Sequence, residues 1–168
     1  MVIGGVDYPA LDSYNVAISR PPAFTGGTAN TRGDDGGTDD PHTVFTVTGD
    51  VFVRMWGVCT VSLVGATATV SVGVAGNTAG LIALETATEI DADGLYVSAT
   101  QVVGVVAVSS IPGPFVIGNG LDIIETTATA DITAGNIYYI CLWRPVSLGL
   151  SASQTDIQGN VVAAGTQI

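Results

Sequence analysis

Between Thr43 and Leu63 the chain carries its longest run of β-branched and aromatic residues at a period of two, and this run restricts the fold more than any other feature. Thr43, Phe45 and Val47 alternate with Val44 and Thr46. Thr48-Gly49-Asp50 offers a turn or bulge, after which Val51, Val53 and Met55 alternate with Phe52, Arg54 and Trp56. Both faces of the second strand are largely apolar. That predicts a strand covered on both sides, at the centre of a sandwich or closed barrel.

The same signals recur downstream. Ala68 to Val74 alternates as a half-buried strand, Leu81 to about Thr88 follows a turn at Ala75-Gly76-Asn77-Thr78, and Tyr96-Val97 opens a short return strand. Gln101 to Ile111 reads as a strand stopped by Pro112-Gly113-Pro114. Phe115 to Ile117 and Leu121 to Thr127 flank Gly118-Asn119-Gly120, a primed-turn sequence that predicts a tight hairpin. Ile137 to Val146, with Tyr138, Tyr139, Cys141 and Trp143, is the last core strand. About eight strands with frequent turns predict an all-β fold, a jelly-roll-like or Greek-key β-sandwich.

Residues 1–42 differ from this core. Pro9, Pro21, Pro22 and Pro41 are spread among Gly, Asp, Asn and Thr, and Thr25 to Asp40 has almost nothing apolar to offset its ordering entropy. The expectation is an extended N-terminal arm over 1–42, mobile unless a partner holds it, with a core over 43–147 and a C-terminal extension over 148–168. In that extension Val161 to Ala164 is a weak strand. Tyr8, Leu11, Tyr14, Ile18 and Phe24 are spaced as anchors with which the arm would dock onto a neighbour.

A length of 168 residues fits one domain with its own core. Glycine at 22 residues and a charged fraction of 11% suit short strands and many turns. Fifteen acidic residues against four arginines, Arg20, Arg32, Arg54 and Arg144, give a net charge of -11 with no lysine. Such a surface repels phosphate backbones and anionic bilayers, which argues against nucleic-acid and membrane partners. The acidity serves solubility or faces a basic partner. No run approaches the roughly 20 apolar residues a spanning helix needs, and no basic segment followed by an apolar one opens the chain, so the mature protein is expected to begin near Met1. Cys59 and Cys141 lie in apolar strands far apart in sequence, and are expected to be reduced, buried thiols.

Candidate chemistry is sparse. Asp91-Ala92-Asp93-Gly94 resembles the start of a calcium loop, but the twelfth position holds Val102 where a glutamate ligand is required, so a turn is expected and no metal site is assigned. His42 is the single histidine, no nucleophile elbow accompanies it, and the lack of lysine removes Schiff-base and P-loop chemistry. The expectation is a protein without catalytic residues or cofactor. Arg54 and Arg144 sit within strands beside Trp56 and Trp143. Either each arginine stacks on its tryptophan and pairs with a carboxylate of its own subunit, or it meets a neighbour. Bare strand runs such as Ala68–Val74 and Val102–Val108 carry no charge to discourage edge pairing, which predicts a homo-oligomer. Arg54, Trp56, Tyr138, Trp143 and Arg144 are the subunit-contact candidates.

Several blocks, FTVTGD from Phe45, VFVRMWGVCT, VGVAGNTAGLIA, TATEIDADGLY, IGNG with LDIIETTATADITAG, and YYICLWRPVS, resemble a family of small virion proteins of tailed bacteriophages. The likeness covers about residues 43 to 147. It implies a structural role, as a decoration or cement protein on the capsid exterior or a comparable head or tail component. The expected partners are sister subunits, with a trimer preferred, and the major capsid protein, after assembly in the host cytoplasm. A tail-fibre or host-glycan-binding module is the alternative.

Overall fold

A computed structural model describes residues 14–98, 101–102 and 111–146, and the backbone alone of 2–3, 6–7, 103 and 160–162. The chain is an all-β sandwich. One layer is a six-stranded sheet in the order β3 (Asn15–Ser19), β12 (Ala134–Pro145), β5 (Val51–Val64), β8 (Gly94–Tyr96), β9 (Gln101–Val103), with β10 (Phe115–Ile117) pairing the start of β5. The other layer runs β13 (Asn160–Val162), β4 (His42–Thr48), β11 (Ile123–Ala128), β6 (Thr69–Val74), β7 (Asn77–Thr86). Its pairs are antiparallel except β13 on β4. A separate antiparallel pair joins β1 (Val2–Ile3) and β2 (Val6–Asp7).

The Thr43–Leu63 run supplies β4 and β5, one to each layer. β5 is an interior strand, paired with β12 along nearly its whole length. It is not covered on both sides. Val51, Val53, Met55, Gly57 and Cys59 face the core, whereas Phe52, Arg54, Trp56 and Val58 point outward and are half-buried. Apolar residues on the outer face sent the sequence expectation astray. They cover a surface there, and no third layer lies over them among the described residues.

Two further expectations change. Asn119 and Gly120 do adopt the left-handed φ values of a primed turn, 62° and 64°. Yet β10 and β11 on either side pair with β5 and with β4 and β6, in different layers. The turn is a crossover rather than a hairpin, because turn chemistry fixes φ and not the partners of the strands beyond it. It is held by Asp50 Oδ1, which accepts from Asn119 N at 2.8 Å.

The second change concerns residues 15–42, which belong to the sandwich. β3 pairs with β12 from Asn15 opposite Trp143 to Ser19 opposite Tyr139. Phe24 is buried, and its neighbours bond across to the β11–β12 connection: Phe24 N to Gly135 O at 3.0 Å, Gly26 N to Ile132 O at 2.9 Å, Ile132 N to Gly33 O at 2.8 Å. Tyr8 and Leu11 lie outside the described residues, as does most of the C-terminal extension.

Candidate interaction face

A buried polar network joins the two layers. Glu125 faces inward from β11, and Arg32 donates to it in a fork, Nε to Oε1 at 2.8 Å and Nη2 to Oε2 at 2.7 Å. Arg32 Nη1 donates to Pro22 O at 2.6 Å and Asn136 Oδ1 at 3.1 Å, and Nη2 also reaches Ile137 O at 3.3 Å. The Phe24 ring lies 3.8 Å from the guanidinium carbon. Tyr139, inward on β12, donates its hydroxyl to Glu125 Oε2. Burial alone would lower the Arg32 pKa, but the Glu125 carboxylate outweighs it and holds the guanidinium above its ordinary value. Burial, then the Glu125 charge, pushes Tyr139 well above the usual tyrosine range. Tyr96 makes a second bridge between layers, donating to Val70 O at 2.8 Å and Ala83 O at 2.9 Å.

This network resembles catalytic machinery only in composition. The Arg32 and Glu125 side chains are 0% and 1% exposed, and all five guanidinium hydrogens are directed at acceptors, so no substrate atom can reach them. Its work is to hold the 20–40 segment against the end of the sandwich. The sequence carries one sign of it: Glu125 falls on the inward side of β11 with Ile123 and Thr127, where a carboxylate requires a partner.

The remaining candidates are modest. His42 Nδ1 sits 3.0 Å from Asp39 at the head of β4. Asp91 and Asp93 form a turn, with Gly94 N donating to Asp91 O at 3.2 Å and Asp93 at φ 65°. Among the described residues no group of three or more His, Cys, Asp or Glu is poised around an ion. A cleft of about 150 Å³ beside Phe115, Val116 and Leu121 has no titratable lining residue. Cys59 and Cys141 are buried free thiols on adjacent strands, but Cys59 pairs with Ile137 and Cys141 with Met55, four positions apart and too far to bridge.

The outer face of the six-stranded sheet is different in kind. Register aligns its side chains in rows: Tyr138 with Val58 and Leu95; Ile18 with Ile140 and Trp56; Val16 with Leu142 and Arg54; Arg144 with Phe52 and Val116. Arg20 lies 5.7 Å from the Tyr138 ring centre, and Arg144 is held between the rings of Tyr14 and Phe52 at 5.4 and 4.8 Å. Val16, Ile18 and Val116 are 61%, 48% and 61% exposed. No carboxylate interrupts these rows.

Of the contact candidates, Arg54, Trp56, Tyr138 and Arg144 therefore come together on one face, joined by Tyr14 and Ile18 from the supposed arm. Trp143 does not join them. It faces the core at 6% exposure, because it alternates with Leu142 and Arg144 on β12. Phe24 is likewise internal, against Arg32. Arg20 and Arg144 lie over tyrosine and Phe52 rings, and Arg54 donates to Gly113 O at 2.6 Å.

No protein-family model matches the chain, no curated protein matches it, and no solved structure matches its fold.

Proposed function

We propose that the protein is a non-enzymatic structural component of a phage virion, a decoration or cement protein seated on the capsid exterior as a homo-oligomer, preferably a trimer. The outer face of the six-stranded sheet carries this reading. Aromatic and aliphatic rows edged by arginine, free of carboxylates, have the composition of the core of a protein contact and not of a solvated surface. The rest of the surface is strongly acidic, which suits a site remote from packaged DNA. The resemblance of the β-strand and turn blocks to phage virion proteins supplies the biological setting.

Co-sedimentation of the purified full chain with emptied capsids of its phage tests the proposal. Saturable binding, weakened by Trp56→Ser, is expected. Binding to host cells or a glycan array, with none to capsids, would make it a receptor-recognition module instead.

A further inference from the structure

The four cations of the chain divide sharply. Arg32 is buried against Glu125, whereas Arg20, Arg54 and Arg144 all stand on the outer face of the six-stranded sheet. Fifteen carboxylates are present in the chain, yet among the described residues neither Arg20 nor Arg144 has one within ion-pair distance. Arg144 Nε is moreover buried, with no hydrogen-bond acceptor among the described residues. Guanidinium groups with no carboxylate beside them leave this face cationic, and a cationic face favours an acidic partner surface.

Carboxylates gather at the other end of β5. Thr133 N bonds Val64 O at 2.8 Å, and the adjoining Asp131 accepts from Asp35 N at 3.0 Å. Ala92 N bonds Ser62 Oγ at 2.9 Å, which sets exposed Asp91 and Asp93 beside the same strand end. Arg144 pairs with Phe52, twelve residues back from Val64 (64 minus 52), or about 40 Å along the strand at roughly 3.3 Å per residue. Asp50 and Asp122 lie nearer the Arg144 end, each accepting from a backbone amide, Asn119 N at 2.8 Å and Val47 N at 3.0 Å. The acidic end also exposes two aliphatic side chains, Val61 at 56% and Val64 at 53%. One end thus shows valines beside carboxylates, while the sheet face shows aromatic rows with Arg20 level with Val58 and with Arg54 and Arg144 towards the far end of β5.

We propose that the arginine-bearing sheet face receives the acidic, Val61/Val64 end of a second copy of this chain, in a head-to-tail contact. Packing two such faces on each other would set arginine against arginine, a like-charge arrangement that opposes association. Head-to-tail packing pairs opposite charges and buries apolar surface on both sides. Such a contact is heterologous, and closes into a ring when its rotation allows. The inference rests on the reading of this face as a contact surface, and adds its partner and polarity.

Sedimentation velocity on the full chain, with two kinds of variant, tests it. Arg144→Glu, and separately Arg20→Glu at an exposed position, spoil the face; Asp91→Lys, and separately Asp35→Lys, spoil the end. The wild type is expected to assemble at micromolar concentration, less so as salt rises. Each variant alone should be at least tenfold weaker, and an equimolar mixture of a face variant with an end variant should recover a dimer and stop there. Circular dichroism confirms that the variants are folded, and the two choices at each site guard against loss of one. A monomeric wild type, end variants that assemble like wild type, or a mixture that stays monomeric would each overturn the inference. A chain that binds capsids yet remains monomeric alone would overturn it while leaving the virion reading standing.

Discussion

Arg32 and Glu125, 93 residues apart in sequence, meet through two hydrogen bonds of 2.8 and 2.7 Å inside the sandwich. The pair ties the glycine-rich 25–40 segment to β11, and through Tyr139 to β12. Removing one partner strands a charge in the interior. Arg32→Ala is therefore expected to cost about 3 to 5 kcal/mol in urea unfolding, more than a typical surface change. Arg32→Met combined with Glu125→Gln should recover part of that loss, since neither variant residue leaves a full charge buried. A loss under 1 kcal/mol for Arg32→Ala would show that the pair does not hold the layers together.

The same pair governs the 25–40 segment. Limited proteolysis should leave the segment intact in the isolated wild-type chain and cut it readily in Arg32→Ala, since few apolar side chains besides Phe24 anchor it. Equal cutting of both proteins would contradict this.

Gly57 marks the tightest packing between the tyrosines. A Cβ there would stand 2.8 Å from Ile137 Cγ2 and 3.3 Å from both Tyr139 Cε1 and Tyr96 Cβ. Gly57→Ala should cost about 1 to 3 kcal/mol by overpacking, measured by thermal unfolding. An unchanged or raised Tm would mean that the interior yields more easily than its contacts indicate.

Alkaline sensitivity follows from the buried thiols and phenols. Desolvation pushes Cys59 up to about 11 and Cys141 up to about 12, from an ordinary 9.0. Tyr96 and Tyr139 are also raised, chiefly by burial. The folded state thus keeps protons that the unfolded chain gives up, and the stability these groups supply is fully present below pH 9 and falls as pH climbs toward the folded values. Stability at pH 10.5 should be lower than at pH 8, and Cys59→Ala should flatten part of the slope. Asp40, raised mainly by burial, acts in the same sense at acid pH: its contribution falls as pH rises through the carboxylate range. Native thiol labelling at pH 8 should be as slow as unfolding, and rapid labelling of both cysteines would contradict this burial.

Much of the fold was legible because burial writes itself into period-two alternation. Val51, Val53, Met55 and Cys59 are core residues on that signal alone. What escaped depends on pairing between distant residues. Asn119-Gly120 announced its φ values but not that its flanking strands join different layers. Arg32 falls in a stretch with almost nothing apolar, and only its pairing with Glu125, 93 residues away, shows that the stretch packs on the sandwich. The contact candidates fared by the same rule: Trp56, Tyr138, Arg54 and Arg144 share a face through parity and register, and parity sends Trp143 inward.

The central claim is that the outer face of the six-stranded sheet is the contact surface of this protein. Hydroxyl-radical footprinting of the full chain, assembled at high concentration and dispersed at low concentration, tests it most directly. Trp56 and Tyr138 should lose severalfold in modification rate on assembly, while Leu84, 50% exposed on β7 in the other layer, stays constant. Equal modification of Trp56 and Tyr138 in both samples would contradict the claim.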